Sequence, residues 1–379
     1  MYSQNLIYEI ALTSVKGVGD KTAKNLLAFC GGAKEIFTEK KSNFLKIPGI
    51  GEKTAEQLYQ SLHEKLLFTE AEKEIKWLEK EKINAIFFSD SCYPQRLKHC
   101  SDSPIMLYKK GTADLNPSKM LSIVGTRTPS EYGISQVVNL IQELSSLNIT
   151  IVSGLAYGID ILVHQTCLEN NLPTIAVLAH GLQTLYPQSH KSTARKMMED
   201  GALLTEFRNT EKPDKENFPR RNRIVAGLCD AVIVIETRRK GGSLITAEIA
   251  NSYNKDVFAF PGRAGDEITE GCNYLIKSNK AALIENAQDL LAAMCWREEL
   301  KNSEKRKKSN QQNQLILIEN YSDEEKKIIL VLQEKSPMHL DELSHRINST
   351  ISKTLATLLQ LEFSNIVCSI PGKLYRLNN

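Results

Sequence analysis

Cationic residues surround one aromatic ring between residues 212 and 227, where the chain reads KPDKENFPRRNRIVAG. Guanidinium and ammonium groups hold phosphate oxygens, and a ring beside them can stack on an unpaired base. This combination favours a single-stranded nucleic acid. The alternative is structural: the arginines pair with neighbouring acids and the ring belongs to the core. The candidate contacts are Lys215, Phe218, Arg220, Arg221, Asn222 and Arg223.

Three glycine-bearing loops could hold phosphate through backbone amides. They read GTRTPSEYG from residue 125, SGLAYGID from residue 153 and RRKGGSLITAE from residue 238. Glycines bring the backbone close to an anion, and small residues at a helix entrance leave amides and hydroxyls free. A nucleotide phosphate would satisfy the third loop equally well, and an arginine in the first could pair with a carboxylate instead. The candidates are Arg127, Gly154, Gly158, Gly242, Ser243 and Thr246.

Seven short apolar runs alternate with helix-length segments from about residue 105 onward. Such runs, apolar on both faces, are typical of buried parallel strands with right-handed crossovers. The pattern predicts an α/β domain with a Rossmann-like, doubly wound parallel sheet, which binds ligands at the carboxyl ends of its strands. The predicted strands are Leu121–Val124, Ile149–Val152, Thr174–Leu178, Ala202–Thr205, Ala231–Ile235, Val257–Ala259 and Ala282–Ile284.

Smaller helical modules flank this core. A Gly-apolar-Gly turn precedes an amphipathic helix twice, at Gly17 and Gly19 and again at Gly49 and Gly51, which predicts paired helix-hairpin-helix motifs (a SAM-like domain). These glycines either contact phosphate or merely link packed helices. The last 59 residues predict three helices and a hairpin, a winged helix suited to a DNA groove, to dimerisation or to protein docking. The predicted domains are 1–68, 69–298, a polar linker at 299–320, and 321–379.

Bulk composition excludes several classes of function. The net charge is only +3, and the eight cysteines are scattered singly. No apolar run could span a membrane, no zinc-ligand or HExxH spacing occurs, and no GxxxxGK[ST] loop is present. We therefore expect a reduced cytoplasmic protein without catalytic residues, metal or cofactor, and without a membrane partner.

The ordered motifs resemble the DNA-processing protein A (DprA/Smf) family along nearly the whole chain. Beside the loops above, the matching segments are NFPRRNRIVAGL from 217, GGSLITAEIA from 241, VFAFPG from 257 and GCNYLIKSNKA from 271. The resemblance implies single-stranded DNA binding, a homodimer, and loading of RecA recombinase during natural transformation. By motif position it implies DNA contacts at Arg127, Lys215, Phe218 and Arg223, with Gly242 and Ser243 in the same pocket.

The segment 179–190 departs from the family pattern. His180, Gln183 and His190 stand where the family usually has threonine, aspartate and asparagine, and Gly241 replaces a usual serine. Contacts from this segment are therefore not carried over. Two other functions compete: a nucleoside-monophosphate-binding hydrolase with a Rossmann-like fold, and a duplex-binding regulator acting through the winged helix.

Overall fold

The computed structural model describes residues 5–47, 50–296, 321–334, 336–364, 366–370 and 373–377. They belong to two compact units, Met1–Arg297 and Glu298–Asn379. Within the described ranges, no helix is long and apolar enough to cross a membrane. The predicted linker at 299–320 and Gly49 lie outside the described residues.

Six helices open the first unit, and two of them begin directly after the glycine turns. Gly19 and Gly51 precede these two helices in extended conformation, and each glycine carbonyl accepts the first helical hydrogen bond. An acidic residue follows each glycine, where it interacts favourably with the helix dipole. The helices are α1 Leu6–Thr13, α2 Asp20–Cys30, α3 Ala33–Thr38, α4 Lys41–Phe44, α5 Glu52–Leu62 and α6 Lys65–Glu81.

A nine-stranded sheet follows, and all seven predicted strands are present in it. Two further strands, β1 and β2, were not predicted; they pair antiparallel with each other, and β2 pairs antiparallel with β6. The strands are β1 Asn84–Phe87, β2 Met106–Gly111, β3 Met120–Val124, β4 Thr150–Ser153, β5 Thr174–Val177, β6 Ala202–Thr205, β7 Ala231–Val234, β8 Asp256–Ala259 and β9 Ala282–Leu283.

The order of the strands is β1-β2-β6-β5-β4-β3-β7-β8-β9, and all pairs from β6 to β9 are parallel. The chain adds β4, β5 and β6 on one side of β3 and then places β7 on the other side. The direction of winding therefore reverses between β3 and β7, where doubly wound sheets bind ligands. The remaining helices of this unit are α7 Gln95–Lys98, α8 Glu131–Leu144, α9 Ile159–Glu169, α10 Lys191–Asp200, α11 Asn217–Leu228, α12 Gly242–Ser252, α13 Glu270–Lys277 and α14 Ala287–Ala293.

Apolar side chains join the elements of the first unit. One cluster packs α11 and α12 against the sheet, and another packs α1 to α6 against β1, β2 and the segment before β2. The eight cysteines, all within the described ranges, are unpaired.

The second unit has the predicted winged-helix topology. Its three helices surround an apolar core that includes Ile328, Leu343 and Leu358. The strands pair in the order β10-β12-β11. The elements are α15 Asp323–Glu334, β10 Met338–His339, α16 Leu340–Arg346, α17 Ile351–Phe363, β11 Val367–Ile370 and β12 Leu374–Leu377.

Candidate nucleic-acid interface

A cleft of about 700 Å³ opens at the carboxyl ends of β3 and β7. This is the position at which the winding of the sheet reverses. Three segments supply most of its walls: 124–127 after β3, 215–222 at the start of α11, and 237–246 after β7. The fold thus brings together loops that lie more than a hundred residues apart in the sequence.

The cationic residues of the cleft are largely uncompensated. Arg127, Lys215 and Lys240 line it, and none of them forms an ion pair with an acid in the described part of the chain. Arg238 is exposed and has Glu267 at 3.9 Å, a weak surface pair. Asp160 is the one acid among the lining residues. The cleft is therefore positively charged and suited to an anionic ligand.

The arginines of α11 do not share one surface, contrary to the expectation from the sequence. Helical spacing places Arg220 and Arg223 together, and both face Glu206 on the side away from the cleft. Arg223 also has Asp20 of α2 at 3.3 Å and donates to the carbonyl of Asp102. Neither Arg220 nor Arg223 lines the cleft. Arg223 is buried, so it is a contact between parts of the fold.

Arg221 forms part of the floor of the cleft. Its side chain is 4 % exposed and donates to the carbonyls of Gly154 and Val177. A Cβ at Gly154 would overlap both this guanidinium and the carboxylate of Asp160, so the glycine makes room for the pair. Burial raises the pKa of Asp160, and the Arg221 charge opposes that rise. Both side chains belong to the floor of the cleft.

Arg127 and Phe218 do converge. The Arg127 guanidinium carbon lies 5.6 Å from the centroid of the Phe218 ring, in cation–π geometry. Gly158, with φ of +80°, lets the loop that carries Arg127 approach, because a Cβ there would lie 2.3 Å from the Thr126 carbonyl oxygen. Glu236, which sequence reasoning missed, accepts hydrogen bonds from the amide and hydroxyl of Ser130 and so anchors the same loop.

The start of α12 forms the opposite wall. The Ser243 hydroxyl is buried, lines the cleft and has no hydrogen-bond partner in the described structure. Thr246 lies one helical turn further on, and Gly242 has open space around its Cα. The first amides of an α-helix have no partner within the helix. Together these donors could hold one phosphate group.

The glycines of the two predicted helix-hairpin-helix motifs lie away from the cleft. Those within the described residues, Gly17 and Gly19 of the first motif and Gly51 of the second, are exposed. Beside the first pair, Asp20 accepts a hydrogen bond from the Ile105 amide, and Lys24 donates to the Ser103 hydroxyl at 2.7 Å. The first helix-hairpin-helix motif therefore packs on the segment before β2.

His164, one turn after the loop that follows β4, is a packing residue. It is fully buried and donates to the Thr174 hydroxyl, which in turn donates to the Ile151 carbonyl. Burial lowers the pKa of His164 to about 3, so the imidazole is neutral at physiological pH.

Comparisons with known proteins agree with this architecture. Residues 84–295 match the family model of DNA recombination-mediator protein A, residues 9–64 a SAM-like helix-hairpin-helix tandem, and residues 317–373 a DprA winged helix domain.

Two relatives and two solved structures show how far the likeness extends. DNA processing protein DprA of Streptococcus pneumoniae is 41% identical over 212 residues, 56% of this chain and 74% of that protein. Protein Smf of Synechocystis is 32% identical over 99% of this chain and 100% of its own length. The X-ray structure of the S. pneumoniae protein superposes with a TM-score of 0.62 at 34% identity, covering 77% of this chain and 98% of that one. A structure concerning the single-stranded DNA binding mode of DNA processing protein A from Helicobacter pylori gives a TM-score of 0.52 at 28% identity, covering 57% and 97%. The chain therefore belongs to the DNA recombination-mediator protein A (DprA/Smf) family.

Proposed function

We propose that this chain binds single-stranded DNA in the cleft between β3 and β7. The observation that carries the proposal is that Arg127, Lys215, Lys240 and Phe218 line one cleft, and that none of these three cations has an ion pair within the part of the chain that the structure describes. Cations follow a phosphate backbone of any sequence, and a ring accepts any unstacked base. Ser243 and the first amides of α12 supply a place for one phosphate. Gly242, Thr246 and Asn222 complete the set, whereas Arg220, Arg221 and Arg223 act on the fold around it.

The finer biological role is also proposed. We infer that the protein is a cytoplasmic homodimer that presents the bound strand to RecA recombinase in natural transformation, without catalysing a reaction itself. Membership of a family whose relatives are named for DNA processing supports this role. A direct check is the rate at which RecA forms filaments on strands coated by a single-strand-binding protein, with and without this chain.

Salt-dependent titration of the full chain with a labelled oligothymidine tests the cleft. Arg127→Ala and Lys215→Ala should each weaken binding by about tenfold, because each removes a phosphate contact. Each should also reduce the slope of log K against log salt by about 0.7.

Arg195→Ala is the matched control, since Arg195 is an exposed arginine on α10 outside the cleft lining. It should leave affinity and slope unchanged. Normal binding by folded Arg127→Ala and Lys215→Ala proteins would rule out the cleft as the DNA site.

A further inference from the structure

The loop between β7 and α12 carries three consecutive cations, Arg238, Arg239 and Lys240, which do not all face the same way. Arg238 and Lys240 line the cleft. Arg239 lies outside that lining and contacts Tyr274 of α13 instead. The loop therefore presents positive charge both to the cleft and to the surface beyond it.

Arg239 is held against an aromatic ring. Its guanidinium carbon lies 3.3 Å from the centroid of the Tyr274 ring, a stacking distance. The Nζ of Lys280 lies 5.6 Å from the same centroid, so two cations surround one ring. A guanidinium that is already fixed by a ring loses little conformational entropy when it binds a ligand.

The backbone under Arg239 is fixed against the start of α13. The Gly271 amide donates to the Thr237 carbonyl at 2.8 Å. A Cβ at Gly271 would lie 2.6 Å from the Arg238 carbonyl oxygen, so the helix and the loop fit closely only because this residue is a glycine. The position of Arg239 relative to α13 is therefore set by backbone contacts as well as by the ring.

The charge of Arg239 is not neutralised by an acid of the described structure. Arg239 is exposed, and no ion pair within the described ranges includes it. Lys280, on the same ring, is by contrast paired with Glu248 at 3.2 Å. Glu270, one helical turn before Tyr274, forms no ion pair with Arg239 either. Arg239 is thus available to an external anion.

The open side of this guanidinium suits a nucleic-acid strand. One face of the guanidinium covers the Tyr274 ring, which leaves its N–H groups and its other face at the surface. The N–H groups can hold phosphate oxygens, and an unpaired base can stack on the plane of a guanidinium. Bases of a duplex already stack on each other, so a single strand uses both properties.

The loop also lies where a long strand leaves the cleft. A strand longer than the cleft has to cross one of its walls, and segment 237–246 is one of these walls. A backbone that crosses this wall passes from Arg238 and Lys240 on the cleft side to Arg239 on the outer side. Successive phosphates would then meet successive cations.

We propose that Arg239, positioned by Tyr274, binds a nucleotide of the strand outside the cleft, so that the DNA site continues over this loop toward α13. The inference rests on the proposed binding of single-stranded DNA in the cleft. The added contact favours strands longer than the cleft can hold, and it carries no sequence preference, because it uses phosphate and a base plane.

The test compares a short strand with a long one. The full chain and its variants are titrated with oligothymidines of about 5 and about 20 nucleotides at several salt concentrations. Arg239→Ala should weaken binding of the long strand about tenfold, and should reduce its slope of log K against log salt by about 0.7. Binding of the short strand should remain that of wild type. Arg195→Ala, an exposed arginine outside the cleft lining, is the matched control and should change neither strand.

Tyr274 acts through Arg239, so it is a positioning residue, and its variants test that role. Tyr274→Leu should weaken binding of the long strand severalfold and keep the salt slope, because the charge of Arg239 remains. Tyr274→Phe keeps the ring and should bind as wild type does. In a protein that already carries Arg239→Ala, Tyr274→Leu should weaken binding no further.

The outcomes distinguish this inference from the proposed function. If folded Arg239→Ala protein binds the long strand as wild type does, the strand does not pass over Arg239, and the cleft assignment stands. If Arg239→Ala weakens both strands equally, the residue acts on the cleft itself, and the inference is again overturned. If wild type binds neither strand, the proposed function fails.

Discussion

Arg223 lies between two carboxylates, those of Glu206 and Asp20, that belong to different parts of the chain. Glu206 follows β6, and Asp20 begins α2 in the helical segment. The arginine also donates to the Asp102 carbonyl, so three segments meet at one guanidinium. Such a group contributes to the fold, and its removal leaves a buried acid without its partner.

Arg223→Ala should therefore lower the free energy of unfolding by about 3 kcal/mol. At a low temperature, where the variant is still folded, its DNA affinity should be close to that of wild type. Urea denaturation gives the free energy of unfolding, and oligothymidine titration gives the affinity. Arg220→Ala serves as the comparison, because its 3.8 Å contact with Glu206 comes from a side chain that is 57% exposed. That variant should lose less than about 1 kcal/mol. Equal stability of the two variants would contradict the structural role of Arg223.

Glu206 should make stability depend on pH. Burial raises its pKa from 4.5 to about 7, and the nearby Arg223 charge only partly offsets this rise. A carboxyl with a raised pKa in the folded state binds its proton more tightly there than in the unfolded chain. Its stabilising contribution is complete below about pH 4.5 and is lost as the pH rises to about 7.

The wild-type free energy of unfolding should thus fall between pH 5 and pH 7, by an amount on the order of 1–3 kcal/mol from this group. Glu206→Gln cannot ionise and should show a shallower fall. Some slope should persist, because the pKa of Glu9 is likewise raised to about 7 by burial. Urea denaturation at three pH values measures the slopes. Parallel slopes for both proteins would show that Glu206 ionises normally.

Residue types in the site were predictable from the sequence, but the direction of each side chain was not. Arg127, Lys215 and Phe218 stand in loops or at a helix start, where short-range patterns suffice to place them. Which of the clustered arginines face the cleft depends on how α11 is rotated about its axis, because adjacent helical residues point about 100° apart. The sequence alone did not give that rotation. Tyr186, which also lines the cleft, was missed as a site residue because it is a single tyrosine in a loop, with no repeating pattern to mark it.

At the level of elements, two glycines of the candidate site have opposite surroundings. Gly158 precedes α9 with φ of +80°, and a Cβ there would overlap the backbone of Thr126 and Arg127. Gly242 is the first residue of α12, and a Cβ there would meet nothing within 4 Å. One glycine is therefore needed by the loop, and the other leaves the helix start open.

Gly158→Ala should lower the free energy of unfolding by about 3 kcal/mol, since it combines backbone strain with a steric overlap. It should also weaken DNA binding by displacing Arg127. Gly242→Ala should change stability by less than about 0.5 kcal/mol. Thermal denaturation and titration of both proteins provide the comparison. A Gly158→Ala protein as stable as wild type would mean that the two loops can separate without cost.

The parallel strands were predictable because burial on both faces leaves short apolar runs between helices. Strands β1 and β2 were not predicted because they lack such continuous apolar runs. β2 reads MLYKKG, and its second half is only partly buried, so it lacks the continuous apolar run of the central strands. β1 has four residues and one neighbour, which gives it almost no pattern of its own.

The exposed face of helix α17 is apolar, which does not match the DNA-groove binding that is typical of a winged helix. Ile351, Leu355, Leu359 and Phe363 lie exposed at four-residue intervals along it. Lys353, its one cation, forms an ion pair with Glu324. An apolar face without free positive charge is poorly suited to phosphate. Of the three roles that the sequence left open, this face therefore favours dimerisation or protein docking over groove binding.

Across the first unit, the N-terminal helices and the sheet share one apolar cluster. Buried side chains of α1 to α6, such as Ile10 and Leu78, pack with Phe87 of β1 and Tyr108 of β2. The Asp20 and Lys24 hydrogen bonds to residues 103–105 add polar contacts across the same boundary. The predicted division at residue 68 separates sequence motifs, whereas the packing unites them in one structural unit.

Truncation tests whether the sheet is stable without the N-terminal helices. A fragment of residues 105–298 lacks β1 and all six N-terminal helices, so it exposes apolar side chains of β2 that contribute about 2 kcal/mol each when buried. We expect this fragment to aggregate or to unfold without a cooperative transition. Residues 1–297 form a complete compact unit and should melt cooperatively, at the temperature of the corresponding transition in the full chain. Calorimetry and size-exclusion chromatography make the comparison. A monomeric 105–298 fragment that melts like residues 1–297 would mean that the sheet is stable without the helices, and that the cluster between them contributes little to the fold.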